Sequence, residues 1–404
     1  MESENGIYKL KGKVLNYAWG GYDFLPDFLG ISNTNHRPFA EYWMGDHHLA
    51  PSTLLTKDGE ESLYTTIKGD PERVISKKVY DSFGGLPYLF KVQDVREILS
   101  IQVHPNKSEA EKGYEKEELA GIPINALNRN YKDRNHKPEV LVALSEFWLL
   151  HGFKQLNVIE KILEEVPEFS VLLPLFRREG LQAMYLFVME ISQSDINAML
   201  INLIKREIRK KNEGELTKQM PGWWIAKLYE GKSEIDEIDR AVFSIYFFNI
   251  VKVNVGEAIF QNAGIPHAYM EGQCIELMAN SDNVLRAGLT PKYIDVPELM
   301  KHTIFESIEP LLMTGIEVLP GEKIYPCPVT DFGIAKIELS ATVSYKNKAS
   351  SFEIFVVTEG GALINNTLVL KRGEAVAVFA GESYILQASG NCTLFKAFVP
   401  EMID

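Results

Sequence analysis

A short internal repeat constrains the fold of this chain more than any other feature of its sequence. VNVGEAIFQNAG at residues 253–264 aligns with LKRGEAVAVFAG at residues 370–381, and both copies hold Gly-Glu-Ala and then Ala-Gly at one spacing. A glycine between short apolar runs is typical of a turn that joins two strands. Apolar residues also alternate at Phe352, Ile354 and Val356, ahead of the second copy. Unless the alignment arose by chance, it predicts two β-sandwich barrels of the jelly-roll type.

Residues 154–245 follow a different pattern. Apolar side chains recur there at helical spacing, in the two groups Ile159, Ile162, Leu163, Val166 and Ile196, Met199, Leu200, Leu203, Ile204. The basic run at residues 205–211 fits the exposed C-terminal end of a helix, where cations interact favourably with the helix dipole. We therefore predict a fold that is mainly β, with a separate α-helical domain inserted at 154–245, and we do not interpret the basic run as a binding patch.

Charge and composition argue against several classes of partner. Acidic residues outnumber basic ones by 55 to 42, and the net charge of −13 repels the phosphates of nucleic acid. We find no apolar stretch as long as a membrane span, and the acidic N-terminus does not resemble an export signal. Cys274, Cys327 and Cys392 are widely spaced, which argues against disulfides and against a thiolate metal site. We expect a cytoplasmic protein that binds neither nucleic acid nor membranes.

Titratable residues concentrate in the segment HAYMEGQCIELMANSDNVLRAGLTPK at residues 267–292. Its few apolar residues are interrupted by Glu276 and by the polar run at residues 280–283, which argues against a simple core strand or a helical stripe. The segment therefore favours a chemical role over a purely structural one.

Two further segments supply residues that complement His267. In LSIQVHP, strand periodicity puts Ser100, Gln102 and His104 on one face. Glu139 ends the segment YKDRNHKPE and precedes an apolar run, which places it at the mouth of a buried strand. Gln102, His104, Glu139 and His267 form a candidate ligand set of nitrogen and oxygen donors.

A donor set of this kind suits zinc. Zinc accepts imidazole nitrogen and carboxylate oxygen, while a carboxamide oxygen is a poorer ligand that leaves the metal more electrophilic and a position open for substrate. Each histidine taken alone is more often an ordinary core or surface residue, and only the joint pattern favours a metal site. An open coordination position indicates catalysis.

These segments resemble the signature regions of type I phosphomannose isomerases. The resemblance extends over most of residues 1–153 and 250–300, and it includes YAWGG at 17–21, AEYWMGDHHLAPS at 40–52 and LPYLFKV at 86–92. It implies a catalytic cupin-like barrel formed by residues 1–153 and 246–312, the helical insertion at 154–245, and a C-terminal jelly roll at 313–404. Because the second repeat has Tyr384 where the first has His267, we expect the C-terminal jelly roll to be metal-free.

The resemblance also implies an activity. Members of the family use zinc, here one ion per chain, to interconvert mannose 6-phosphate and fructose 6-phosphate, which supplies mannose metabolism and GDP-mannose synthesis. We expect a phosphosugar substrate and a monomer or weak oligomer. An enediol route needs a base, and Glu276 is the leading candidate. A structural ion pair is an equally frequent role for such a glutamate. Arg286 resembles the arginine to which the family's catalysis is attributed, with a structural salt bridge as its alternative.

Several lysines are candidates for binding the phosphate. Lys91 and Ser100 face each other if residues 93–97 form a hairpin turn, and an ammonium beside a hydroxyl makes a phosphate cradle. Lys137, which lies two residues before a proposed ligand, and Lys292 are candidates for a catalytic acid or a phosphate contact. A lysine in such a position is as often an ordinary surface residue as a functional one.

Two aromatic residues, Trp19 and Tyr269, are candidates for the sugar face, although core packing is the commoner role of a lone aromatic. Two short segments depart from the pattern of the family. They are QNAGIP before His267 and Leu150-His151-Gly152. Neither change removes a proposed ligand, but the first affects the expected shape of the loop and access of the substrate.

Another class of protein shares these ligands. His104, His267 and Glu139 also match the two-histidine, one-carboxylate face of iron oxygenases, and a cupin can bind a metal and a small anionic ligand without turnover. The cations and the long match through Arg286 favour the isomerase. A binding protein predicts no conversion of mannose 6-phosphate with stoichiometric zinc, and an oxygenase predicts iron-dependent consumption of oxygen.

Overall fold

The computed structural model describes residues 6–232 and 235–401. Residues 1–5, on which the argument about export rests, and residues 402–404 lie outside the described residues. The helices are α1 Phe24–Leu29, α2 Leu63–Gly69, α3 Pro71–Ile75, α4 Lys77–Phe83, α5 Lys107–Leu119, α6 Leu156–Glu165, α7 Leu173–Glu190, α8 Gln193–Asn212, α9 Pro221–Tyr229, α10 Ala241–Phe247 and α11 Val296–His302, with a 3₁₀ helix at Pro167–Leu172.

The strands are β1 Ile7–Lys11, β2 Lys13–Leu15, β3 Glu41–Met44, β4 Thr53–Thr56, β5 Gly59–Ser62, β6 Tyr88–Val95, β7 Ile101–Val103, β8 Glu139–Ala143, β9 Phe147–Phe153, β10 Phe248–Val253, β11 Ala258–Gln261, β12 His267–Ala279, β13 Leu285–Gly288, β14 Leu312–Met313, β15 Ile316–Leu319, β16 Glu322–Tyr325, β17 Gly333–Leu339, β18 Tyr345–Lys348, β19 Glu353–Glu359, β20 Gly361–Ile364, β21 Leu368–Lys371, β22 Ala375–Val378, β23 Ser383–Gln387 and β24 Cys392–Phe398. Strands outnumber α-helices by 24 to 11 in the described ranges, which confirms the prediction of a mainly β chain.

Hydrogen bonding divides the strands into three sheets. The first has nine strands in the order β15-β16-β17-β24-β19-β22-β1-β4-β5. The second has eleven strands along the path β14-β11-β8-β12-β6-β3-β2, with β7, β9, β10 and β13 attached through β12. The third has four strands in the order β18-β23-β20-β21. Among the described strands no ladder closes into a barrel, so the predicted jelly rolls take the form of packed sheets.

The nine-stranded sheet is covered on both faces. Ile354 and Val356 of β19 point into the core shared with the eleven-stranded sheet. Phe355 and Val357 alternate with them and point into the core shared with the four-stranded sheet. Both faces of β19 are therefore buried, as expected for the middle layer of a stack of three sheets.

The two ends of the chain meet in this nine-stranded sheet. Ile7 of β1 lies opposite Val378 of β22, and β4 extends the sheet on the other side of β1. This pairing was not predicted, because nothing local in the sequence specifies it. The division into domains at 1–153 with 246–312, 154–245 and 313–404 stays a prediction.

The helical insertion lies where its periodicity predicted. Helices α6 to α10 and the 3₁₀ helix connect β9 to β10, and Leu163, Leu200 and Ile204 are buried in their core. The predicted basic run forms the C-terminal end of α8, with Arg209, Lys210 and Lys211 in its last turn. The same core includes residues of β7, β9 and β13, so the helices pack directly behind strands of the eleven-stranded sheet.

Cys274, Cys327 and Cys392 are free thiols, and Cys274 and Cys392 are buried. None of the described helices combines the length and the apolar character that crossing a membrane requires.

The internal repeat is confirmed as a pair of matching turns. Gly256 lies between β10 and β11, Gly373 lies between β21 and β22, and their φ angles are 83° and 82°. In both turns the following glutamate accepts a hydrogen bond from the backbone N–H three residues before it. Glu257 Oε2 bonds Asn254 N at 2.8 Å, and Glu374 Oε2 bonds Lys371 N at 2.8 Å. The shared Gly-Glu therefore encodes one turn geometry twice.

The two turn glycines differ in their surroundings, which predicts unequal costs for the same substitution. A Cβ at Gly256 meets open space, whereas a Cβ at Gly373 would overlap the carbonyl oxygen of Phe28. We expect Gly256→Ala to cost about 1 kcal/mol from the left-handed backbone alone and Gly373→Ala about 2 to 4 kcal/mol once overlap is added. Thermal unfolding of both variants beside the parent measures the difference. Equal shifts in unfolding temperature would contradict the close packing of α1 against this turn.

Candidate active site

Three of the four proposed metal ligands meet inside the eleven-stranded sheet. Glu139 begins β8, His267 begins β12, and His104 follows β7 directly. Glu139 lies between the histidines, with Oε1 at 3.4 Å from His104 Nε2 and Oε2 at 3.3 Å from His267 Nε2. All three side chains are buried. Because each carboxylate oxygen faces a different imidazole, one ion can contact all three residues.

Backbone carbonyls fix the orientation of both imidazoles. His104 Nδ1 is 2.9 Å from Asn283 O, and His267 Nδ1 is 2.9 Å from Ile265 O. A carbonyl oxygen only accepts a hydrogen bond, so Nδ1 carries the hydrogen in each ring and Nε2 presents its lone pair toward Glu139. This arrangement is typical of histidines that bind a metal through Nε2. The sequence did not reveal these two carbonyl acceptors.

The electrostatics of the three residues suit a cation. Burial lowers the pKa of His104 to about 4, although Glu139 opposes the shift, so the ring is neutral near pH 7. Burial alone would raise the pKa of Glu139, but Lys137 and both histidines outweigh it and hold this pKa well below its usual range. Lys137 Nζ is 3.4 Å from Glu139 Oε1. A neutral His104 imidazole and an ionised Glu139 carboxylate are forms that bind divalent metals.

An unpartnered nitrogen shows that the site fits a metal. Among the described residues, the buried side-chain polar atoms without a hydrogen-bond partner are His104 Nε2, Gln261 Nε2 and Tyr269 Oη. A buried polar atom without a partner is costly, and a metal ion at His104 Nε2 removes that cost. Two imidazoles, one carboxylate and a nearby carboxamide form a donor set that zinc accepts.

Gln102 and Arg286 belong to a row of polar residues across neighbouring strands. Arg286 of β13 lies opposite Gln102 of β7, Gln102 lies opposite His267, and His267 lies opposite His151 of β9. Residues directly opposite each other in a sheet point to the same face. The row therefore places the carboxamide beside His267 and the guanidinium one strand further on.

Glu276 belongs to a buried network of charged and polar side chains. Its Oε2 accepts hydrogen bonds at 2.8 Å from Lys91 Nζ and at 2.8 Å from Gln93 Nε2. Gln93 Nε2 also donates to Glu41 Oε1 at 2.9 Å, and Trp43 Nε1 donates to Glu41 Oε2 at 2.7 Å. The network thus holds two carboxylates around one ammonium, since Lys91 Nζ is also 3.7 Å from Glu41.

The prediction that Lys91 faces Ser100 across a hairpin was wrong. Residues 88–95 form the single strand β6, in which Lys91 lies opposite Trp43 of β3 and Glu276 of β12. Ser100 precedes β7, which pairs with β12 and β13 instead. The partner of Lys91 is therefore a carboxylate 185 residues away rather than a hydroxyl in an adjacent strand.

The charges of this network change the pKa values of Glu276 and Lys91. Burial raises the pKa of Glu276, Lys91 opposes that effect, and the negative charges of Glu139 and Glu41 add to it. Burial disfavours the charged form of Lys91, yet Glu276, Glu41 and Glu139 raise its pKa above the usual value. The lysine is a fixed cation, whereas Glu276 is a carboxylate with increased basicity.

The first half of the segment at residues 267–292 forms a buried strand, contrary to the sequence prediction. Residues 267–279 make the 13-residue strand β12, in which Gly272 adopts a φ of 128° next to a break in register. β12 contacts β6 and β8 along its second half and β7 and β9 along its first half. Its His267 and Glu276 are buried, whereas Glu271 and Gln273 are partly exposed.

A cavity brings most of the candidate residues together. Its lining includes the predicted Lys91, Gln102, Lys137, Glu139, His267, Tyr269 and Glu276, together with Glu41, Gln93, Leu99 and Ala268. Glu41 and Gln93 were not among the predicted residues, although Gln93 follows Lys91 by two positions, which is the spacing of one strand face. The burial of Tyr269 and the charge of Glu276 raise the pKa of its phenol, which marks the two side chains as neighbours.

Comparisons with known proteins place the chain in a family. A family model of the catalytic domain of type I phosphomannose isomerase matches residues 7–156. A mannose-6-phosphate isomerase from Salmonella typhimurium is 37% identical over 401 residues, which cover 97% of this chain and 99% of that relative. The chain belongs to the type I phosphomannose isomerases. This membership confirms the resemblance seen in the sequence.

Solved phosphomannose isomerase structures share the whole fold. A mutant of phosphomannose isomerase from Salmonella typhimurium superposes with a TM-score of 0.88 at 34% identity, and the match covers 98% of this chain and 99% of that one. A mannose 6-phosphate isomerase described as holo and zinc-bound superposes with a TM-score of 0.84 at 34% identity and the same coverage. The predicted fold class is thereby confirmed for this phosphomannose isomerase.

Some predicted residues of this phosphomannose isomerase lie outside the lining of the cavity. Trp19 stacks on Tyr17 with ring centroids 5.7 Å apart, and Lys292 is exposed. Arg286 donates to Val284 O at 3.5 Å, and the described residues place no carboxylate within ion-pair distance of it. A structural salt bridge for Arg286 therefore finds no support. The substrate roles of these residues stay predictions.

The two departures from the family pattern contact each other. His151 Nδ1 is 2.7 Å from Gln261 Oε1. His151 lies opposite His267, and Gln261 lies opposite Glu139. The two unusual residues therefore form one pair beside two proposed ligands of this phosphomannose isomerase.

Proposed function

We propose that Gln102, His104, Glu139 and His267 hold the one zinc ion with which this chain works as a mannose-6-phosphate isomerase. The observation that supports the site is the convergence of two correctly oriented Nε2 atoms on the two oxygens of Glu139. Bound there, zinc supplies a Lewis acid that stabilises negative charge developing on the oxygens of the sugar. The fold and the family both favour catalysis over a binding-only or iron-dependent cupin. Mannose 6-phosphate formed in the reverse direction supplies mannose metabolism and GDP-mannose synthesis.

Glu276 is proposed to move the proton between carbons 1 and 2. As a carboxylate it takes the proton from carbon 2 of open-chain mannose 6-phosphate; the electron pair of that bond forms the double bond between carbons 1 and 2, and the π pair of the carbonyl moves to the oxygen on carbon 1, which gives an enediolate. The hydroxyl proton on the carbon 2 oxygen passes to the carbon 1 oxygen. Glu276 then returns its proton to carbon 1 while the oxygen on carbon 2 becomes a carbonyl, which gives fructose 6-phosphate. Its Oε2 receives both hydrogen bonds of the network, which leaves Oε1 for this transfer.

The cations around the cavity are proposed to bind the substrate. Lys91 holds Glu276 in position from within the lining, and Lys137 reaches the same cavity beside Glu139. Lys137 is proposed as an acid for the sugar oxygens, while Ser100 and Lys292 are proposed for the phosphate. Trp19 and Tyr269 are proposed to contact the sugar.

One assay tests the reaction and the metal together. Formation of fructose 6-phosphate is followed with a coupled assay in metal-stripped, zinc-restored and iron-restored protein. The proposal expects activity with zinc and little without it. Failure of zinc to restore conversion would support the binding-only alternative, and iron-dependent consumption of oxygen would support the oxygenase.

Arg286 gives a prediction about turnover. If its guanidinium stabilises charge that develops on oxygen during enediol formation, Arg286→Ala raises the barrier by about 2 to 4 kcal/mol. Steady-state kinetics at saturating zinc measures this as a lower kcat with a smaller change in KM. Arg286→Lys is the control, because it keeps the charge but loses the planar fork. A change confined to KM would make Arg286 a phosphate anchor, and unchanged kinetics would remove it from the mechanism.

A further inference from the structure

A second set of metal-ligand side chains lies outside the proposed zinc centre. His47, His48 and Asp282 each offer one ligand atom, and these atoms all lie within 4.8 Å of one another. In the part of the chain that the structure describes, this group and the group of His104, Glu139 and His267 are the two with such geometry. The mechanism proposed above uses none of the three side chains.

Packing fixes the side chain of His47, and a hydrogen bond fixes the backbone of Asp282. His47 is 3% exposed, and its ring meets Trp43 edge-on with centroids 4.9 Å apart. Its Nε2 is 3.2 Å from Asp282 Oδ2. Asp282 lies in the connection between β12 and β13, where its backbone N–H donates to Asp133 Oδ2 at 2.8 Å. One imidazole and one carboxylate are therefore already aligned.

The third side chain is free to complete the set. His48 is exposed, and its ring stacks on His47 with centroids 4.8 Å apart. An exposed imidazole can turn toward an ion without disturbing the core. Binding through His47 Nε2 moves the ring proton to Nδ1 and gives up the contact of 3.4 Å with the Leu49 N–H, which is long for a hydrogen bond and so a small loss.

We propose that His47, His48 and Asp282 form a second site for a divalent transition metal, weaker than the first. Two imidazoles and one carboxylate are donors that zinc, cobalt and nickel accept. The exposed side chain of His48 leaves room for water and must be ordered on binding. This ordering lowers the affinity relative to the buried centre.

The position of this second site connects it to the first. Asp282 directly precedes Asn283, whose carbonyl oxygen accepts the hydrogen bond from His104 Nδ1. A metal at the second site would join the segment after β3 to the segment that orients a ligand of the first. The second site thus lies one peptide unit from the support of the zinc centre.

Metal counting on the zinc-loaded protein tests the proposal. Equilibrium dialysis against rising zinc is expected to show one tightly held ion and a second, weaker one per chain. In His48→Asn we expect the dissociation constant of the second ion to rise by at least about tenfold and that of the first ion to stay unchanged. Tenfold is the lower end of the loss in affinity seen when a residue that only hydrogen-bonds to a metal ligand is removed. His36→Asn is the matched control, because His36 is exposed, lies outside both groups and has a φ of 45° that asparagine tolerates.

Cobalt added to the zinc-loaded protein gives a second readout. A visible absorption band is expected in the parent and in His36→Asn, and it should be absent in His48→Asn. A parent that binds only one ion at every zinc concentration overturns the proposal. So does a second ion that His48→Asn retains, or one that both variants lose equally, since that result would indicate binding to surface histidines in general.

Discussion

Glu276→Gln is expected to abolish isomerisation while the protein still folds and binds zinc. Glutamine keeps the shape of the side chain and can accept the hydrogen bond from Lys91, but it cannot take a proton from carbon. General base catalysis contributes about 10²- to 10⁴-fold to a rate, and with no second base in position the loss should reach at least that range. The raised basicity of Glu276 in its buried network is the physical reason for this expectation.

Proton exchange at carbon 2 is the most direct measurement for this variant. An enediol base must exchange at least part of that hydrogen with heavy water, so incubation of mannose 6-phosphate in heavy water with Glu276→Gln should leave carbon 2 unlabelled. Zinc content is measured in the same sample. Exchange at the parent rate would place the base elsewhere.

Glu41→Gln is the matched control for Glu276→Gln. Both carboxylates accept a hydrogen bond from Gln93 Nε2 and both lie near Lys91. Only Glu276 is proposed to transfer a proton, so Glu41→Gln should change stability or KM while exchange continues. Equal losses of exchange in both variants would mean that the network as a whole, rather than one base, carries the reaction.

The surroundings of two other candidate bases, Asp282 and His136, make them weaker alternatives. Asp282 is paired with His47, and His136 Nε2 faces Asp331 at 3.0 Å. His47 therefore occupies the carboxylate of Asp282, and Asp331 occupies Nε2 of His136, so neither atom is free to take a proton from carbon. Lys137, which lies in the cavity beside Glu139, is the next residue to test if Glu276→Gln still exchanges.

The sequence predicted those parts of the fold that depend on local pattern. The repeat predicted two equivalent turns because glycine with a left-handed φ and a following glutamate suffice to form them. Helical periodicity predicted α6 and α8 because burial of one face determines which residues are apolar. Residue type at a strand end limits the available chemistry, which is why the sequence alone suggested His104, Glu139 and His267 as the ligands that we propose.

Strand register could not be predicted in the same way. β6 lies between β3 and β12, so the neighbours of Lys91 are Trp43 and Glu276 rather than any residue of the next strand along the chain. Pairing of this kind depends on long-range packing, and nothing within a window of ten residues specifies it. The pairing of β1 with β22 escaped prediction for the same reason.

The polar content of β12 misled the sequence analysis because a strand inside an active site breaks the usual pattern. Glu276 and His267 are buried in a strand that has neighbours on both sides. Their burial is tolerated because both side chains have hydrogen-bond partners. Lys91 and Gln93 donate to Glu276, and Ile265 O accepts from His267 Nδ1. Local propensity fails where buried polar residues serve a function.

His104→Ala and His267→Ala are expected to lose zinc and activity together. Each variant removes one imidazole from a carboxylate that bridges two, and the remaining ligands then bind the ion far more weakly. Removing a residue that only hydrogen-bonds to a metal ligand lowers metal affinity by about 10- to 100-fold, so removing a ligand itself should lower it further. Elemental analysis after dialysis measures zinc per chain, and the coupled assay measures activity in the same samples.

Thermal unfolding separates loss of the metal from damage to the fold. An ion that binds only the native state stabilises it by about 2.7 kcal/mol at one hundred times its dissociation constant, so zinc should raise the unfolding temperature of the parent and of a control, His302→Ala. His302 contacts Tyr131 and Glu298 and belongs to neither group of metal-ligand side chains. In His104→Ala and His267→Ala the zinc-dependent rise should disappear. Full zinc occupancy with normal turnover in both variants would remove these residues from the metal centre.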